Sequence, residues 1–124
     1  MPRKPSKKTL ENKLDKLVGK WCREVRSKGK CEHCGRTGKN SRDMQWCHIK
    51  SRRYLSVRWD VDNCFCLCST CHRRFTDNPD EFVTWIWDEH PEQYSRLVDK
   101  FQPVSKMGVV EMQDLLDKLI KELK

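Results

Sequence analysis

The sequence predicts an α+β domain, and three observations carry that expectation. Apolar residues recur at helical spacing near the start, a cysteine-rich middle reads as two short strands and a short helix, and helical pattern returns for the rest.

The first element rests on Leu10, Leu14, Leu17, Val18, Trp21 and Val25, which form one apolar stripe on a helix from about Ser6 to Ser27. Lys13, Lys16, Lys20 and Arg23 lie together on another face, which could track phosphates or simply be solvated. Residues 31–76 are short of helical pattern and rich in Gly, Asn, Ser and Cys. There "DMQWCHI" and "NCFCLC" read as brief strands around the loop "KSRRYLSVRWDVD", and "STCHRRF" reads as a short helix. In the remainder, "DNPDEFVTWIWDEH" has an Asp or Asn cap with Pro79 in its first turn, and "PEQYSRLVDKF" starts on Pro91. A last helix from about Val109 carries Met112, Leu115, Leu116, Leu119, Ile120 and Leu123, a stripe that could pack inward or pair with a second copy. The chain divides into a basic helix (1–30), the cysteine-rich core (31–76) and a helical tail (77–124) of one domain.

Composition narrows the chemistry. Of 124 residues, 36% are hydrophobic and 35% charged, so the apolar core is small and needs a staple, which eight cysteines could supply through disulfides or metal. No apolar run suits a leader peptide or a membrane span, so a cytoplasmic protein with reduced thiols and no membrane partner is expected. The net charge of +8 is unevenly spread: the first 76 residues hold +13 and the last 48 hold −5. A basic front with an acidic tail is the electrostatic footprint of a nucleic-acid binder, although a solvated surface explains a charge run equally well.

Cys31-x2-Cys34 is followed by Cys68-x2-Cys71. Each pair closes a tight turn that aims two thiolates at one point, and two such knuckles give zinc the four sulfurs of a closed, structural site. Cys68, Cys71 and His72 also spell CxxCH, the attachment sequence for c-type haem, but that chemistry needs export, and no βαβ pattern supports a thioredoxin-like pair. Cys22, Cys64 and Cys66 are left as small buried hydrophobes. His33 is expected to face solvent, His90 to mark a helix boundary, and Trp85 and Trp87 to serve packing.

Two histidines, His48 and His72, remain, with Asn63 between them inside the segment the knuckles pin together. "CEHCG" through "CHIKSRRYLSVRWDVDNCFCLCSTCHRRF" resembles the zinc-stabilised HNH (His-Me finger) endonucleases over residues 31–76. More loosely, most of the chain is similar to phage lambda NinG/Rap-type recombination nucleases. The resemblance implies a ββα-metal core and hydrolysis of DNA phosphodiester bonds. It casts His48 as general base, Asn63 as the residue that holds the loop and orients the His48 ring, and His72 as ligand to one divalent ion, Mg²⁺ or Mn²⁺. Lys50, Arg52, Arg53 and Arg58, with Arg73 and Arg74 on the helix, would grip the flanking backbone. Branched DNA as substrate, a host-cell cytoplasmic setting and a homodimer follow from the same likeness.

Cys47 departs from the family, many of whose members place an acid or a second His before the base, and a thiol suits a hard ion poorly. Burial of Cys47 with His48 facing solvent is favoured over ligation, because successive strand residues face opposite ways. A carboxylate such as Asp43, Asp60, Asp62 or Asp77 could reach the ion instead, waters could fill its sphere, or a softer ion could be preferred. The rival function is a zinc-stapled DNA-binding module without catalysis; a further one is an interaction protein holding a partner through its acidic tail.

Overall fold

The computed structural model describes residues 5–38, 43–104 and 106–123. The first four residues of the basic segment and residues 39–42 of the cysteine-rich segment lie outside them. The chain is α+β, with five α-helices and one two-stranded sheet among the described residues. None of these helices is long and apolar enough to cross a membrane.

Helix α1 (Lys7–Lys20) starts where the Ser6 hydroxyl accepts from the backbone N–H of Thr9 at 3.1 Å. Leu10, Leu14 and Val18 are fully buried along one face. The helix then widens into a π-helical turn, Trp21–Arg26, with the N–H of Ser27 reaching the carbonyl of Cys22 at 3.2 Å. That wider turn corrects the expected stripe. A step of four rather than three residues follows Cys22, so Arg26 turns inward, its side chain 17% exposed, while Val25 is 57% exposed.

Residues 29–38 fold back on themselves, with Cys31 N–H on the Arg36 carbonyl at 2.8 Å and Gly38 N–H on the Gly29 carbonyl at 2.9 Å. Gly35, at φ 78°, closes the turn onto the Cys31 carbonyl and takes a backbone conformation that side chains disfavour. Strand β1 (Met44–Cys47) pairs antiparallel with β2 (Phe65–Cys68), Met44 opposite Cys68 and Cys47 opposite Phe65. Helix α2 (Ser69–Asp77) follows β2 without a break because the Cys68 sulfur caps it, accepting from Cys71 N–H at 3.4 Å. Helices α3 (Pro79–Glu89) and α4 (Pro91–Lys100) each open on a proline, where a missing N–H costs nothing.

Two apolar cores result. One lies about the sheet, where Phe65, Leu67 and Met44 meet Phe75 of α2 and Ile86 of α3, with Trp85 and Phe82 against them. The other joins Leu10, Leu14 and Val18 of α1 to Trp59 and to Met112, Leu116 and Leu119 of α5 (Val109–Glu122). The α5 stripe therefore packs inward on α1, and a second copy of the chain would need another surface. Cys22, Cys64 and Cys66 are fully buried, as a small-hydrophobe role requires.

A polar network ties the cysteine turn to α4. Arg26 bonds Glu32 at 3.0 Å and the Gln93 carboxamide oxygen at 2.6 Å, and its guanidinium lies 5.1 Å over the Phe65 ring. Glu32 accepts from Cys66 N–H at 2.6 Å, and Gln93 donates to the carbonyls of Asp62 and Cys64.

Candidate metal centre and histidine cleft

The two CxxC turns converge. The sulfurs of Cys31, Cys34, Cys68 and Cys71 all lie within 4.8 Å of one another, and those of Cys34 and Cys68 are 3.7 Å apart. Four thiolates about 2.3 Å from a tetrahedral zinc stand about 3.8 Å from each other, so the set has the dimensions of such a site. Burial pushes the Cys31 thiol up, but backbone hydrogen bonds at Cys34, Cys68 and His33 outweigh it and hold its pKa at about 7. His33 corrects the solvent-facing expectation. Its ring packs edge-on against Phe75 and Trp85, and Nδ1 lies 3.3 Å from the Cys71 sulfur, placed to donate to a thiolate.

His48 follows β1 and His72 lies on α2, yet both line one cleft of about 200 Å³ together with Cys47, Ile49, Phe75, Thr76, Pro79 and Phe82. The Nε2 of His48 is 3.0 Å from the Arg58 carbonyl. A carbonyl can only accept, so Nε2 carries the hydrogen and Nδ1 keeps its lone pair. The Trp46 ring lies 4.2 Å from the imidazole, which is half-buried rather than open to solvent. Burial drives the His48 pKa down to about 4, aided by the Arg52 and Arg58 charges and opposed by the Arg58 carbonyl and Asp15, so the ring is neutral near pH 7. His72 Nδ1 bonds the side-chain oxygen of Gln45, and Nε2 has no hydrogen-bond partner among the described residues; burial lowers its pKa also.

Asn63 is fully buried, and its side chain makes four hydrogen bonds. Its oxygen accepts from the N–H groups of Ile49 and Lys50 at 3.0 and 2.6 Å, and its nitrogen donates to the carbonyls of Lys50 and Val57 at 3.0 Å each. The side chain thus closes the loop immediately after His48.

Cys47 is 5% exposed, and burial, helped by the nearby Cys64, raises its thiol to about 12. It is a neutral core group that meets the cleft at its edge. Among the described residues no Asp or Glu lines the cleft, and the four cysteines are the one group of three or more His, Cys, Asp or Glu side chains close enough to share an ion. Asp60 and Asp62 are turned to Lys100 and Arg96, with the Asp62–Lys100 pair at 2.6 Å.

The expected cations divide. Lys13, Lys16 and Lys20 are exposed on α1, and Arg52, Arg53 and Arg73 are exposed near the two histidines in sequence. Arg23 is half-buried, with its guanidinium against Gly19. Lys50 sits 4.8 Å over the Phe101 ring and Arg74 pairs with Glu81 at 2.9 Å. Arg58 departs most from expectation: its side chain is 15% exposed and bonds Asp15 at 2.9 Å, so a structural tie replaces the phosphate grip. His90 caps the α3–α4 boundary and packs on Phe65 and Trp85, while Trp87 is 53% exposed beside Tyr94.

Sequence reasoning missed Asp15, Arg26, Gln45 and Trp46. Asp15 gives no local signal because its partners are 37, 43 and 44 residues away. Gln45 gives none either, since strand alternation puts it on the face of Cys47, opposite to that expected for His48. No family model, curated protein or solved structure matches the chain.

Proposed function

We propose that the chain is a metal-dependent HNH endonuclease hydrolysing DNA phosphodiester bonds, its β1–loop–β2–α2 unit serving as the ββα-metal core and its four cysteines holding a structural zinc. One observation carries this reading: two histidines from different elements line a single cleft, each with one ring nitrogen tied to an oxygen and the other bare. A base and a ligand are what such a hydrolysis asks of two imidazoles.

His48 would accept a proton at Nδ1 from the water that attacks phosphorus, while its Nε2–H on the Arg58 carbonyl keeps the ring from turning. A ring with a pKa near 4 is wholly unprotonated but a weak base; a phosphate anion entering the cleft opposes the burial effect and strengthens it. Asn63 would hold the loop that carries the ring. His72 Nε2 would hold one divalent ion, which when bound supplies neutralisation of the charge developing on the phosphate and leaving oxygens. Lys13, Lys16, Lys20, Arg52, Arg53 and Arg73 would hold the flanking backbone, giving affinity without a base code. Branched DNA as substrate and a dimeric assembly on it belong to the same proposal.

A nicking assay on plasmid and branched DNA with Mg²⁺, Mn²⁺, Ni²⁺ and Zn²⁺ tests it. The native chain should cut with at least one ion and His48→Ala should not; equal cutting by the variant would remove His48 from the chemistry. The carboxylate-free cleft favours a second reading, a zinc-stapled DNA-binding module without catalysis. Salt-sensitive DNA binding with no cleavage under any ion would select it.

A further inference from the structure

We propose that Asp15, on α1, is a positioning residue for His48: its carboxylate fixes the peptide whose carbonyl orients the imidazole. The inference rests on the endonuclease reading of the cleft and extends it to the N-terminal helix.

The carbonyl that accepts from His48 Nε2 belongs to the peptide joining Arg58 to Trp59. That peptide lies in neither helix nor strand, in a run of turns whose i to i+3 bonds link Tyr54 to Ser51, Val57 to Tyr54 and Asp60 to Val57. Turns of this kind hold a chain compact without fixing the direction of one carbonyl. The side chains on both sides of this peptide, however, end on a single carboxylate. Arg58 Nη2 donates to Asp15 Oδ2 at 2.9 Å, and Trp59 Nε1 donates to Asp15 Oδ1 at 2.8 Å. Two oxygens of one group therefore hold the two residues that bracket the carbonyl.

The anchor itself is rigid. Asp15 follows Leu14, which is fully buried, and Trp59 is 1% exposed in the same core. Arg58 is enclosed, and its Nε has no hydrogen-bond partner among the described residues. Without Asp15 the guanidinium would be left inside with no counter-charge and would turn toward water, pulling its own carbonyl away from His48. Arg52 also reaches Asp15 Oδ2, at 3.0 Å, but its side chain is 60% exposed and remains open to a phosphate.

The test separates positioning from charge. Asp15→Asn keeps the shape and an oxygen for Trp59 but removes the negative charge beside Arg52 and Arg58. Were charge its whole role, DNA affinity would rise and cleavage with it. Positioning predicts that affinity holds or rises while the single-turnover cleavage rate falls by roughly 10- to 100-fold. The ¹⁵N resonance of the His48 Nε2–H, measured on the full chain, should at the same time lose its hydrogen-bonded shift. Trp59→Phe retains the ion pair and removes one of the two anchors, so it should move the same resonance less and slow cleavage less, which keeps the idea testable should Asp15→Asn fold poorly. An unchanged resonance in both variants would overturn the proposal, as would an unchanged rate. If the native chain cuts no DNA yet the resonance still depends on Asp15, the clamp on the ring stands and the endonuclease reading fails.

Discussion

Removal of the Asn63 carboxamide should be among the costliest single changes in the chain. Asn63→Ala strips partners from two N–H groups, at Ile49 and Lys50, and two carbonyls, at Lys50 and Val57, around a side chain with no solvent exposure. A buried polar group left unpaired costs about 1–3 kcal/mol. The vacated space is large enough for one water, which could satisfy two or three of the four groups. The expected loss is then about 2–5 kcal/mol, a large share of a domain's margin of about 5–15 kcal/mol. Urea unfolding of the metal-loaded chain measures it, with metal content checked in parallel so that loss of the loop is separated from loss of the ion. Asn63→Asp sharpens the test: it keeps the acceptor for both N–H groups but points a carboxylate oxygen at two carbonyls, and it should be no better tolerated than Ala. A loss under about 1 kcal/mol for Asn63→Ala would show that the loop is held elsewhere.

Three further outcomes follow from the same geometry. Cys68→Ala should lower metal content and melting temperature more than Cys34→Ala, because Cys68 is both a proposed ligand and the α2 cap and is 2% exposed whereas Cys34 lies at the surface; equal effects in calorimetry and metal analysis would deny the double role. Arg26→Met should cost about 3–5 kcal/mol in urea unfolding, since it leaves Glu32 enclosed without its counter-charge; a neutral result would mean that water replaces the pair. The His48 pKa of about 4 lies below the ordinary 6.5, so unfolding takes up a proton between those values. Its contribution is complete above about pH 6.5 and drains away as pH falls toward 4, by up to about 3 kcal/mol, and His48→Gln should flatten that part of the stability profile. Parallel profiles would refute the burial of the ring.

Much of this was legible because it is written in short-range pattern. Helical periodicity gave α1 and α5, prolines marked the starts of α3 and α4, and paired CxxC spacing placed four sulfurs together, since each of these depends on residues a few positions apart. What escaped depends on contacts that no spacing encodes. Arg58 reads as one more cation in a basic loop until Asp15, 43 residues earlier, is seen beside it. His33 reads as a surface residue until Phe75 and Trp85 fold over it. Val25 was misplaced because a strictly 3.6-residue period cannot anticipate a π turn.

That wide turn makes the helix exit depend on how the segment is wound. Were the turn to relax to an ordinary helix with all six residues kept, the regular phase would rotate Val25 toward the interior and swing Arg26 out to water. Glu32 and Gln93 would lose their shared cation in one step. The six-residue segment thus behaves as a spacer of fixed gauge, holding one residue more than a regular turn so that a cation rather than a valine faces the interior.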